Sequence, residues 1–452
     1  MQQPKQKFNL LTTIAMIVGI VIGSGIFFRV PNIIRTLNGN LGAGILVFLV
    51  ASFGIIFGGL TIARFAKQSS QDGGIITYSE LTWGKTLGYI TGWFQTIIYF
   101  PAISAILSWV AGNYTAALFG MDNLLIDGTF GNEVWFFTFG YLVIIMLLNI
   151  FSTINAGKFQ SLSMFAKLFA LILLGGAGLI FGDPTAIVDT TINKAVTSSS
   201  FFMAIVIVAY AFDGWLIAPF IAHEIKNSKR NLPLALTIAP LIITGFYLLY
   251  FIGASTYTGV DNILAGVDPI KTLSQTLFTD FGFKIILIFI TISVLGTLNG
   301  VFLGYMRLPY SLSTRNELPG SKYFVKLHPK YDIPIASSIL AFLLTCFWLV
   351  LHYLSVDGAV LYELKWVAGL EVDNLPIVLN HIFYVLLYLG AIIKFRNPTK
   401  GFFYNYVIPI FAIIGASFIL YVGFSEEKFN TYLMISLVGI AAGLLIRPKN
   451  VL

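Results

Sequence analysis

The chain has 452 residues, of which 57% are hydrophobic and only 10% charged. Soluble domains carry about 25% charged residues, so this composition, with a mean hydropathy of +0.86, excludes a large soluble enzyme and describes a polytopic membrane protein. The net charge of +7 does not indicate nucleic acid, because the basic residues fall in short connections between apolar runs.

The N-terminus, MQQPKQKFNLL, sets two lysines ahead of a long apolar segment and has no small-residue cleavage site. It reads as a cytoplasmic tail, not a removable signal peptide. Segments of spanning length then follow at about 10–37, 42–67, 86–118, 134–153, 158–181, 198–225, 233–258, 281–311, 333–353, 374–395, 404–424 and 430–446. These twelve spans predict an all-α membrane protein with a single transmembrane domain over 1–452. The longest polar connections, Ser313–Asp332 and Ser355–Asp373, are loops and not domains.

An even number of spans puts both termini on one side. With the N-terminus inside, nineteen Lys and Arg fall on the cytoplasmic side and seven outside, Arg29 and Arg35 among the seven. Lys167 alone is left at membrane depth. The asymmetry favours cytoplasmic termini in a cell-membrane protein.

Two spans carry an interruption. In the first, Ile22-Gly23-Ser24-Gly25-Ile26-Phe27 sets two glycines around a serine midway through the apolar run Leu10–Val30. Glycine is a poor helix former, and an opened helix in hydrocarbon bares N–H and C=O groups at several kcal/mol each. Such a break persists where the backbone meets protein, water or ligand, and the free N–H groups suit a small anion such as a carboxylate. In the sixth span the interruption is Tyr210-Ala211-Phe212-Asp213-Gly214-Trp215. Each break opens a set of five spans, and five is odd, so the second set enters from the opposite side. The predicted organisation is an inverted pair, 10–181 and 198–395, followed by two further spans within 404–446, with a binding site between the breaks.

The single cysteine, Cys346, excludes an intrachain disulfide and a cysteine metal cluster. The four histidines, His223, His328, His352 and His381, make no metal-ligand spacing. His381 and Tyr384 near the start of span ten either pack or face a cavity. No P-loop, GxSxG elbow or dinucleotide motif occurs, so neither ATP-driven pumping nor a metal or cofactor is expected.

Four motifs in order resemble the amino acid–polyamine–organocation superfamily, and within it the L-amino acid transporter group. They are Ile22–Phe27; Asp72-Gly73-Gly74-Ile75-Ile76-Thr77-Tyr78 with Tyr89-Ile90-Thr91-Gly92-Trp93; Ala211–Trp215 with Glu224-Ile225-Lys226-Asn227 and Arg230-Asn231-Leu232-Pro233; and Leu298-Asn299-Gly300 through Arg307 with Arg315-Asn316-Glu317-Leu318-Pro319. The resemblance covers most of the chain. It implies the LeuT-like fold, a 5+5 inverted repeat with two extra transmembrane helices. It also implies sodium-independent transport of amino acids, commonly by exchange. Eukaryotic members often bond to a single-pass partner through a cysteine after span three. The corresponding loop, Phe119–Glu133, has none, so a bacterial protein without a disulfide-linked ancillary subunit, working as a monomer in the lipid bilayer, is expected.

An α-amino acid is a zwitterion, needing N–H donors at one end and acceptors at the other. The expected donors are the amides of Ser24, Gly25 and Ile26, with Ile22 and Gly23 completing the break. The expected acceptors are carbonyls around Ala209, Tyr210 and Phe212, with Gly214 leaving room. Ile97, Ile98, Tyr210 and Asn299 are candidates for the side-chain lining, and Tyr210 matches the family's aromatic gate. Lys167 costs about 2.5–3.5 kcal/mol at membrane depth. The resemblance places such a lysine where sodium sits in sodium-coupled relatives, tied to the opened backbone of span one, either as a fixed positive charge in place of the ion or as a group that gives up a proton during the cycle.

Asp213 departs from the small neutral residue usual in the eukaryotic group. Three readings stand: it pairs with a cationic side chain on the substrate, it accepts a proton, or it bonds to exposed amides of span six. Exchange of small neutral amino acids by alternating access is the leading expectation. Proton-coupled uptake of amino acids or cationic amines, including polyamines, is the alternative. A channel lacks a charge ring or filter, and an intramembrane enzyme lacks a convergent catalytic set.

Overall fold

The computed structural model describes the chain outside residues 1–7, 24, 69–73, 122–130, 184, 186–197, 216–217, 220–221, 223–224, 330–332, 359–362, 364–366, 368–371, 373, 397–398, 425–428 and 447–452. The regular structure among the described residues is helical, apart from one isolated bridge pairing Phe8 with Ile225. In chain order the first helices are α1 Leu10–Val21, α2 Gly25–Thr36, α3 Leu41–Gln68, α4 Ile75–Trp83 and α5 Lys85–Phe94. A π-helical turn, Gln95–Tyr99, joins α5 to α6 Phe100–Leu118, and α7 Asn132–Phe151 and α8 Thr153–Phe181 follow. The second half has α9 Ser199–Ala211, α10 Ser228–Thr258, α11 Val260–Leu264, α12 Pro269–Tyr305, α13 Leu308–Thr314, α14 Ser321–Phe324, α15 Ile335–Tyr353 and α16 Asn374–Ile393. The chain closes with α17 Ile408–Phe424 and α18 Phe429–Leu445.

Helices dominate because a lipid-embedded segment must satisfy its own backbone. Among the described residues nine segments are long and apolar enough to cross a membrane. Three shorter apolar helices, Leu10–Val21, Ser199–Ala211 and Leu433–Leu445, accompany them. Length and composition alone thus give nine crossings where the sequence reading counts twelve. The first two of the short helices are short because the chain opens after them. Large apolar side chains, such as Phe136, Ile144, Phe165, Phe181 and Phe347, are exposed on outer faces. In a multi-pass membrane protein these are the lipid-facing surface.

The core is built on α10, which packs along α3 and α8 and against α1. Small residues permit the close crossing with α8: the backbone around Gly175 and Gly178 lies against Gly253 with no room for a Cβ on either side. The helix α12, kinked at Thr279 (φ 61°), packs on α6 and α8. At one end of the bundle Arg315 pairs with Glu80 at 2.6 Å and donates to the Thr77 hydroxyl at 2.5 Å, tying the α13 end to α4.

Candidate functional site

The first break lies between α1 and α2. Helix α1 begins on an Asn9 cap, whose side chain accepts from the Thr12 amide at 2.9 Å, and ends when Ile22 turns extended (ψ 90°). The Gly23 amide then bonds to the Val21 carbonyl at 2.8 Å, two residues back. Ser24 lies outside the described residues. At Gly25 a new helix starts, and its first N–H groups, those of Gly25, Ile26 and Phe27, have no acceptor within their own helix.

The second break is at the end of α9. Helical bonding persists through Ala211, so the opening starts at Phe212, later than the carbonyls of Ala209 and Tyr210 that were expected to be bared. Those two carbonyls accept the amides of Phe212 (3.1 Å) and Asp213 (3.2 Å) in a tight turn. Gly214 follows with φ +96°, a left-handed conformation that favours glycine.

The carbonyls bared by the breaks are satisfied by side chains from other helices. The Tyr247 hydroxyl on α10 lies 2.7 Å from the Ala211 carbonyl and 3.2 Å from the Val21 carbonyl, one proton shared across both breaks. Lys167 is fully buried, and its Nζ donates to the Gly19 carbonyl at 2.5 Å and to Thr297 Oγ1 at 3.1 Å. The Thr297 hydroxyl in turn lies 3.4 Å from the Ile22 carbonyl. A lysine held by a carbonyl and a hydroxyl therefore occupies the interior corner between α1, α8 and α12.

A cavity of about 120 Å³ lies where the two breaks face each other. Drug-sized pockets run about 300–1,000 Å³, so this one suits a solute of few heavy atoms. Of the sequence-based candidates, Gly23, Gly25, Tyr210, Asp213 and Gly214 line it, together with Ala211, Val21 and Thr297. Asp213 Oδ2 accepts a 2.6 Å hydrogen bond from the Tyr99 hydroxyl, a partner from span three that none of the three sequence readings of Asp213 supplies.

Other candidates stand elsewhere. Ile22 and Ile26 are fully buried in the apolar core, so only their backbone belongs to the break. Phe212 stacks edge-on against Tyr247 with centroids 5.0 Å apart. Ala209 lines a separate cavity of about 50 Å³, with Trp215, His381 and Tyr384. There His381 Nδ1 bonds to the Ile377 carbonyl at 2.7 Å.

Ile97, Ile98 and Asn299, three sequence-based candidates, are not among the residues that line the central cavity. The cause for the isoleucines is the π-helical turn Gln95–Tyr99, which shifts the register of span three by a residue. It turns Tyr99, Ile103, Ile106 and Val110 to the cavity. Ile98 instead packs near Gly439, and the Ile97 carbonyl accepts from Trp348 at 2.7 Å. Asn299 is fully buried in an amide network, donating to Gln160 Oε1 (3.0 Å) and the Ala156 carbonyl (3.1 Å) and accepting from Asn149 (2.9 Å).

Arg29, counted on the outer side in the sequence reading and not among its site candidates, sits in the body of α2 and lines the cavity. Its guanidinium stands 5.5 Å from the centre of the Tyr210 ring. The available signal was its spacing: four residues after Gly25, it is one helical turn along the same face.

A family model described as amino acid permease matches residues 8–443. The chain is 27% identical over 425 residues to the serine/threonine exchanger SteT of Bacillus subtilis (strain 168), covering 92% of this chain and 90% of the relative. It is 25% identical over 416 residues to the human cystine/glutamate transporter, covering 88% and 82%. To the human Asc-type amino acid transporter 1 it is 23% identical over 432 residues, covering 94% and 78%.

Proposed function

This chain belongs to the amino acid permease family, and from that premise we propose that it exchanges small neutral L-amino acids across the cell membrane by alternating access, without sodium. The observation that carries this reading is the cavity between the two opened helices. The free amides at the start of α2 suit the α-carboxylate. On the facing wall Asp213 and the turn carbonyls suit the ammonium, since a carbonyl that holds one amide retains a second lone pair. Tyr210 in the cavity wall supports a gating role. Lys167 supports the absence of sodium, because its Nζ already occupies the corner beside the break, bonded to the Gly19 carbonyl. Three relatives that are amino acid transporters or exchangers by name agree with the reading.

The rest of the proposal is topological. The chain works as a monomer with cytoplasmic termini, as a five-plus-five inverted repeat with two peripheral spans, and needs no disulfide-linked subunit. Proton-coupled uptake is the second reading. A carboxylate in the cavity wall, Asp213, favours it.

Reconstituted liposomes separate the two. For an exchanger, labelled serine or alanine enters vesicles preloaded with amino acid and not empty ones, with or without sodium. Uptake into empty vesicles that collapses when the pH gradient is removed would select the proton-coupled reading and overturn exchange.

A further inference from the structure

Arg29 is a cation in the wall of the central cavity. Among the described residues it makes no ion pair and no hydrogen bond, and its Nε is buried and unbonded. Its guanidinium faces the Tyr210 ring. Among the described residues the only other charged side chain in the lining is Asp213, already holding the Tyr99 hydroxyl. Lys167 lies one hydrogen bond behind the wall, through Thr297, and Thr297 is itself part of the lining.

Asp213 already holds the Tyr99 hydroxyl, whereas the buried Nε of Arg29 has no partner among the described residues. A buried guanidinium without a counter-charge is costly, and a second carboxylate on the substrate supplies one. A guanidinium is also the side chain best shaped to receive a carboxylate, through two parallel N–H donors. The amides at the mouth of α2 are in place for one carboxylate. Arg29, a turn further along that helix, is in place for a second.

We infer that amino acids with a side-chain carboxylate are substrates alongside small neutral ones, and that Arg29 receives that second carboxylate. The inference rests on the exchanger reading above and names a substrate class for the same site.

The test uses liposomes containing the full chain, preloaded with serine, and follows entry of labelled serine, glutamate and glutamine. Glutamine has nearly the shape of glutamate without its charge. The wild type should take up glutamate in exchange for serine. Arg29→Gln should lower the glutamate-to-glutamine ratio about tenfold or more, the scale on which a lost charge-assisted contact discriminates substrates. Arg29→Lys, which keeps the charge and loses the fork, should restore part of that ratio. Wild-type exchange of serine without entry of glutamate would overturn the inference and leave the exchanger reading standing. So would equal losses for glutamate and glutamine in Arg29→Gln, which would assign Arg29 to the α-carboxylate or to packing. Failure of the wild type to exchange any amino acid would overturn both readings.

Discussion

Lys167 is the buried lysine beside the first break. Its ammonium, held by the Gly19 carbonyl and the Thr297 hydroxyl, ties α8 to the end of α1 and to α12. Removing it leaves a carbonyl without its donor and takes a positive charge from beside the break, at about 1–3 kcal/mol for the unpaired group. Lys167→Ala should therefore abolish amino acid exchange while the protein still reaches the membrane in normal amount. Full exchange in that variant, measured beside its expression level, would remove the lysine from the account. Lys167 was legible in sequence because it is a cation in a long apolar run. Arg29 was harder to read, because a basic residue near the end of an apolar run is ordinarily an interfacial flank. Only the facing wall from α9 reveals that it lines a cavity. Asp213 was legible as a departure and its partner was not. Nothing in the sequence brings Tyr99 across to it before the helices pack.

At the scale of the element, the breaks were legible and their closure was not. Glycines at 23, 25 and 214 announce an opened backbone, and the chain opens there. Which groups satisfy the bared carbonyls depends on packing, and the sequence of α10 reads simply as apolar. Tyr247 on that helix reaches Ala211 and Val21 together, so one hydroxyl fixes how the two half-helices sit. Tyr247→Phe should lower stability by about 1 kcal/mol, seen as a reduced thermal midpoint of the purified protein in detergent, and weaken substrate binding. An unchanged midpoint with unchanged affinity would show that the two breaks are held by other contacts. Span three gives the contrasting case. An α-helical register there predicts Ile97 and Ile98 in the lining, and one π-helical turn moves Tyr99 and the residues after it into that place. A π-helical turn carries no reliable mark in composition, so register is where sequence reading fails.

At the scale of the whole molecule, composition and hydropathy were sufficient for an all-helical, multi-pass membrane protein. The central cavity is assembled from α1, α2, the span-three helix, α9, α12 and α16, elements far apart in sequence. No local pattern encodes its volume or the juxtaposition of Arg29 and Asp213 in its lining. The most direct test is an experimental structure of the full chain with its transported amino acid bound. The account predicts the α-carboxylate within about 3 Å of the Gly25 and Ile26 amides, the ammonium toward Asp213 and the turn after α9, and both helices still open at residues 22–25 and 212–214. A ligand seated outside this cavity, or continuous helical hydrogen bonding through either segment, would contradict it.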